Sequence, residues 1–214
     1  GLRRAALGII EILVEKQLNV DLRKAIEIVA AAQPIPVPAE IQASLLEFIA
    51  GRLRGWVDEH GWVHDVSTAV LAQQAHNPAR ALEGIRELSE WVKRDDWERI
   101  LDGFARCVRI TRGEKERFSI DPALFQQTEE IALYNAFEQA AVKLDESGEG
   151  NVAAFLTAFA PMIPAISAYF GTGKGDGVLV NTEDAAVRRN RLAQLQAISA
   201  MQHGRADLSQ LSGF

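Results

Sequence analysis

Apolar residues recur at three- and four-residue intervals along most of this 214-residue chain, the spacing that lines one face of an α-helix. Leu2, Ala6, Ile9 or Ile10, and Leu13 form a first stripe. Asp21 sits where a helix N-cap belongs and predicts a second helix through about Ala32. The stretch QPIPVPA at 33–39 stops it, because proline lacks an N–H and forces its predecessor into extended backbone. A third helix is expected from Glu40 to about Asp58, with Ile41, Leu45, Phe48 or Ile49, and Leu53 or Trp56 on one face. After a turn at His60-Gly61 the pattern resumes from Asp65 or Val66 to about His76. Asn77-Pro78 reads as the N-cap and first position of a helix reaching Arg94. Asp95 or Asp96 opens the next, which ends near Arg112-Gly113.

Asp121-Pro122 repeats the cap-then-proline signature and is expected to begin a long helix to about Glu146. A polar break at 147–151 precedes a helix from Val152 to Phe170, bent at Pro161 and Pro164. The glycine-rich loop GTGKGDG at 171–177 and the short run Val178-Leu179-Val180 lead to a last helix, opened by Glu183 and Asp184. No repeat of 30–45 residues and no strand–helix alternation occurs, so the expected class is all-α, a helical bundle.

Hydrophobic residues make up 48% and charged ones 24%, the balance of a folded rather than a disordered chain. The single cysteine excludes a disulfide framework and fits a reducing, cytoplasmic setting. With no run of 18 apolar residues, no membrane partner is expected. The chain starts at Gly1 inside an amphipathic pattern, so it reads as an excised piece of a longer protein. Net charge is −6, which argues against indiscriminate nucleic-acid binding; no DNA partner is expected. That charge is uneven. Residues 104–117 hold five Lys/Arg and two Glu, residues 185–205 hold four Arg and no acid, and residues 121–150 hold seven acids and one Lys. Two basic islands in an acidic chain suit local contact with a phosphate backbone.

The closing segment has a particular order: Tyr169-Phe170, Val178-Leu179-Val180, Glu183-Asp184, then Arg188, Asn190-Arg191-Leu192 and Leu195. It resembles the end of the anticodon-binding (DALR-type) region of bacterial glycyl-tRNA synthetase, beta-subunit type, whose pattern is an aromatic pair, V-x-V, an acidic turn and R-x-NRL-x-x-L. The opening LRRAALGIIEIL resembles the family's LRRAA-x-GIIRI. FIAGRLRGWVDEHGWVHDVSTAVLA at 48–72 resembles its F-x-x-DRL followed by D-x-x-x-AVLA. FARCVRITR at 104–112 falls where the family carries a basic KRV-x-NI. The chain departs from the pattern at Gly51-Arg52-Leu53, where the family's acid before Arg is missing, and in the lengthened 171–177 loop.

The resemblance implies a bundle of the class I-like synthetase anticodon-binding type, with residues 1–33 ending a preceding helical domain and 39–214 forming the anticodon-binding domain. It implies recognition of tRNA(Gly) by a non-catalytic part of a glycine–tRNA ligase. The catalytic alpha-type subunit or domain would be its partner, and ATP and Mg would be used by the parent enzyme, with no cofactor in this piece.

Candidate RNA contacts are Arg52, Arg54, Trp62, Arg106, Arg109, Arg112, Arg188, Arg189 and Arg191. Arg106, Arg109 and Arg112 step by three residues and so share part of a helix circumference, near a C-terminus where the dipole also favours cations. Arg188 and Arg191 share a face, while Arg189 points elsewhere; their long stems suit either RNA contact or bridging between helices. Trp56, Trp62, Trp91 and Trp97 are stacking surfaces or core, with Trp62 beside a turn glycine the best exposed.

Catalytic chemistry finds no support. His60, His64, His76 and His203 lack ligand spacing, Cys107 fits the apolar stripe of Ile100, Phe104 and Thr111, and the 171–177 loop lacks the P-loop spacing and reads as a flexible exposed loop. The acid pairs Asp58-Glu59, Asp95-Asp96 and Glu129-Glu130 read as caps and solvated charge. The alternative function is an all-α protein–protein interaction module whose basic patches are incidental surface.

Overall fold

The computed structural model describes residues 1–173 and 175–214. Among these residues the structure is helical and contains no strand, so the all-α expectation holds. The chain forms two compact units, residues 1–90 with 204–211, and residues 91–203 with 212–214. The division between these units falls after Glu90. The proline-rich stretch at 33–39 lies between α2 (Leu22–Ala31) and α3 (Ala39–Glu59), and α1 (Leu2–Glu15) and α2 both pack on α3.

In the first unit, α1 buries Ala6, Ile10 and Leu13, the stripe read from the pattern. Asp21 caps α2, its carboxylate accepting from the Arg23 N–H at 2.9 Å. Only the C-terminal half of α3 enters the core, through Ile49, Leu53 and Val57, while Ile41 and Leu45 stay exposed. Next, α4 (His64–Gln74) buries Val66, Ala69, Val70 and Leu71 around most of its circumference. Asn77 then caps α5 (Pro78–Trp91), accepting from the Arg80 N–H at 3.2 Å. The returning chain closes this unit. The Asp207 N–H donates to the Ala69 carbonyl at 2.8 Å, and the Gln74 amide donates to the Arg205 carbonyl at 2.7 Å.

In the second unit, α6 (Trp97–Thr111) buries Ile100, Leu101, Phe104 and Cys107. Asp96 precedes α6 but does not cap it, since its carboxylate is paired with Arg94 at 2.8 Å. The Phe104 ring meets Phe155 and Phe159 of α8 (Val152–Phe159) edge-on at 5.6 and 5.2 Å, an arrangement favoured by the ring quadrupoles. A 3-10 turn (Ala160–Met162) and α9 (Ile163–Phe170) follow, so Pro161 and Pro164 do interrupt the helix. By length and composition Val152–Phe170 is apolar enough to cross a membrane, yet half of it is buried inside this unit. Gly103 lets α6 approach α9: a Cβ there would lie 2.6 Å from Cδ1 of Ile163.

The long helix α7 (Thr128–Glu146) starts six residues later than the cap-then-proline signature predicts. Asp121 caps only a 3-10 turn (Pro122–Leu124), and Glu130 starts α7 by accepting from the backbone N–H of Gln126 and Gln127 at 3.0 and 2.9 Å. The last helix, α10 (Ala185–Ala200), is capped by Asp184, as expected. Within the 171–177 loop, Lys174 lies outside the described residues. The loop closes on itself at its base, where Gly171 has φ +64° and a Cβ would stand 2.5 Å from the Gly177 nitrogen.

Candidate nucleic-acid interface

The candidate residues separate by unit. In the first, Arg52 lies over the Phe48 ring at 5.7 Å, a cation–π contact that leaves the guanidinium partly buried. Arg54 is exposed and lines a hollow of about 200 Å³ with Asp58, His64, Thr68 and Gln210. Trp62 is half-buried where α4 begins. His60 stacks on Trp56 with centroids 3.7 Å apart, which explains its place beside the turn without invoking a metal.

In the second unit, the arginines of α6 do face solvent, because the opposite side of the helix is the apolar stripe. Arg106 is held by Asp102 at 3.0 Å in an i,i+4 pair, Arg109 lies over the Phe214 ring at 5.5 Å, and Arg112 is the exposed C-cap. Cys107 is fully buried in the stripe, and burial raises its thiol pKa to about 12, so it stays an inert core residue.

α10 is different. Every residue from Asn190 to Gln196 is buried, so its polar side chains need partners inside the protein. Arg191, only 3% exposed, pairs with Glu130 at 3.0 and 3.1 Å and donates to the Leu179 carbonyl at 2.9 Å. Of the two readings open for Arg191 the structure shows the bridge between helices, and Glu130 is corrected from solvated charge to its buried partner. Burial alone would raise the Glu130 carboxyl; the Arg191 guanidinium and the backbone N–H of Gln126 and Gln127 outweigh it and hold the carboxyl below its usual range. The Leu179 bond also explains Val178-Leu179-Val180: it is no strand, and its middle carbonyl is satisfied by Arg191 while Val178 and Val180 are buried.

Arg188 pairs with Glu114 and reaches Asn181 at 3.3 Å, while Arg189 projects to solvent. Two other side chains of α10 hold an irregular segment against the helix. The Asn190 amide accepts from the Asp121 N–H at 2.7 Å and donates to the Asp121 carbonyl at 3.0 Å. The Gln196 amide accepts from the Phe118 N–H at 3.1 Å and donates to the Glu116 carbonyl at 2.7 Å.

Against known families, residues 1–72 match the model described as the glycyl-tRNA synthetase beta subunit. The chain is 33% identical over 219 residues to the glycine–tRNA ligase beta subunit of Geotalea daltonii, and 29% identical over 216 residues to that of Syntrophotalea carbinolica; each match covers 99% of this chain and 30% of the relative. It is also 28% identical to the chloroplastic/mitochondrial glycine–tRNA ligase 2 of Arabidopsis thaliana, over 100% of this chain and 20% of that protein. Along nearly its whole length the chain is similar to one region of glycine–tRNA ligase beta subunits.

The chain spans less than a third of the length of these relatives. The stapled segment at 115–121 was not among the elements expected from sequence. Its signal is the alternation of polar and apolar residues in Arg117, Phe118, Ser119 and Ile120, which fits neither a helix nor a plain loop. The clamps themselves have no local signature, since Asn190 and Asp121 are 69 residues apart. Among the described residues no His, Cys, Asp and Glu cluster is arranged to hold a metal.

Proposed function

We propose that this chain recognises the anticodon region of tRNA(Gly) for a glycine–tRNA ligase and positions the tRNA for aminoacylation by a separate alpha-type catalytic unit in the cytoplasm. ATP and Mg²⁺ belong to that unit's chemistry, activation of glycine, and no group in this chain is assigned a catalytic step. The observation that carries the reading is the match along nearly the whole chain to proteins named glycine–tRNA ligase beta subunit. Exposed arginines on α6 and α10, in a chain of net charge −6, supply the phosphate contacts that RNA binding needs.

The test is a salt titration of tRNA(Gly) binding to the 214-residue chain. Affinity is expected to fall steeply as salt rises, because neutralised phosphates release counterions. The same preparation is expected to have no glycine-dependent ATP–pyrophosphate exchange. Absent or salt-insensitive tRNA binding, or robust exchange, overturns the proposal.

One observation favours a second role, docking of a protein. On the first unit Ile28, Val29, Ile35 and Ile41 are each more than half exposed. An apolar surface of this kind suits a protein contact rather than RNA.

A further inference from the structure

The stapled segment carries a consequence for where RNA would lie. Because Gln196 and Asn190 grip the backbone at Glu116, Phe118 and Asp121, the intervening side chains are sorted to two sides. Phe118 and Ile120 are half-buried, and Lys115, Arg117 and Ser119 face solvent. Arg189 of α10 stands beside them. Arg117, Phe118, Ser119, Arg189 and Asn190 line one groove of about 320 Å³, completed by the small or apolar Ala186 and Leu124, with no carboxylate in its wall.

Three other arginines of this unit are already engaged: Arg106, Arg188 and Arg191 are paired with Asp102, Glu114 and Glu130. Among the described residues no carboxylate pairs with Arg117 or Arg189. Two unneutralised guanidiniums, a hydroxyl donor and an aromatic wall are the chemistry that holds an unpaired nucleotide: phosphate on the cations, ring or sugar on the apolar side.

We propose that this groove binds the sugar–phosphate backbone of a single-stranded RNA segment, with a phosphate engaged by Arg117 and Arg189 and the attached nucleoside against Phe118. The inference rests on the tRNA-reading function above and assigns its contact to one place, of which Arg117 stands outside the residues singled out by sequence. Gln196 acts as a positioning residue, since it holds the segment without lining the groove, while Asn190 both holds the segment and forms part of the groove wall.

The probe is a short RNA hairpin carrying the anticodon loop of tRNA(Gly), titrated against the 214-residue chain at several salt concentrations. Arg117→Glu with Arg189→Glu is expected to lower affinity at least tenfold and to flatten the slope of log affinity against log salt by about 1.4, two single-strand contacts at ~0.7 each. Arg117→Lys with Arg189→Lys is expected to keep most of the slope. Arg3→Glu with Arg4→Glu makes the same change in net charge on α1 and is expected to leave the slope unchanged.

A charge-reversed variant that stays folded by circular dichroism and binds as the wild type does overturns the groove while leaving the tRNA reading intact. If the wild-type chain binds neither the hairpin nor full tRNA(Gly), both fail together. Inorganic polyphosphate competing as well as the hairpin makes the groove a general anion site and overturns the assignment to RNA.

Discussion

Two helices of the second unit carry basic islands of similar appearance, and they use their arginines in opposite ways. α6 has one apolar side and one solvent side, so Arg106 and Arg109 project outward. α10 is enclosed on nearly every side, so Arg191 is driven inward and must be neutralised by Glu130, while among the arginines of α10 only Arg189 is exposed. A local excess of positive charge therefore says little about where a cation points. The number of neighbours around the helix decides it.

The largest separation between the two helices is expected in stability. Arg191→Met leaves the Glu130 carboxylate buried without its partner and should cost about 3–5 kcal/mol in urea unfolding, whereas a paired Glu130→Leu and Arg191→Met should recover most of that loss. A cost below about 1 kcal/mol for the single change would mean the bridge is not closed. Acid provides an independent check. Because the folded Glu130 carboxyl lies below its ordinary value, its contribution is fully present above pH ~4.5 and is lost as pH falls through the folded pKa. Glu130→Gln is expected to flatten that acid limb, and an unchanged limb counts against the assignment.

Leu195→Ala should cost roughly 2–5 kcal/mol, since Leu195 is fully buried in the enclosed helix. A thermal midpoint equal to wild type would mean α10 does not pack as described. Asn190→Ala removes two bonds to Asp121 and should cost about 1–3 kcal/mol, with faster hydrogen exchange at the Asp121 amide as its specific sign. The smallest effect is expected on α6. Arg106→Ala breaks only an exposed i,i+4 pair and should change stability by about 0.5 kcal/mol or less. A larger loss there would erase the contrast between the helices.

Much of the fold was legible because caps and periodicity are local. Asp21, Asn77 and Asp184 each accept the helix N–H expected of them, and Cys107 lies in the stripe that its spacing describes. Misreadings arose where a partner is far away in sequence. Glu130 and Arg191 are 61 residues apart, and each alone looks like ordinary surface charge. The cap at Asp121-Pro122 is real but serves one 3-10 turn, because Glu130 takes the next free backbone donors and starts α7 afresh. At the candidate interface, sequence put forward Arg189 and the α6 stripe, but not Arg117, whose placement depends on the distant Gln196 and Asn190.

The central proposal is that this chain reads the anticodon end of tRNA(Gly). Chemical footprinting of tRNA(Gly) bound to the 214-residue chain measures that directly. Protection of unpaired anticodon-loop nucleotides, lost as salt rises and lost in the Arg117→Glu, Arg189→Glu variant, is the expected result. Protection confined to the acceptor stem, or none at concentrations where the chain binds, would contradict it.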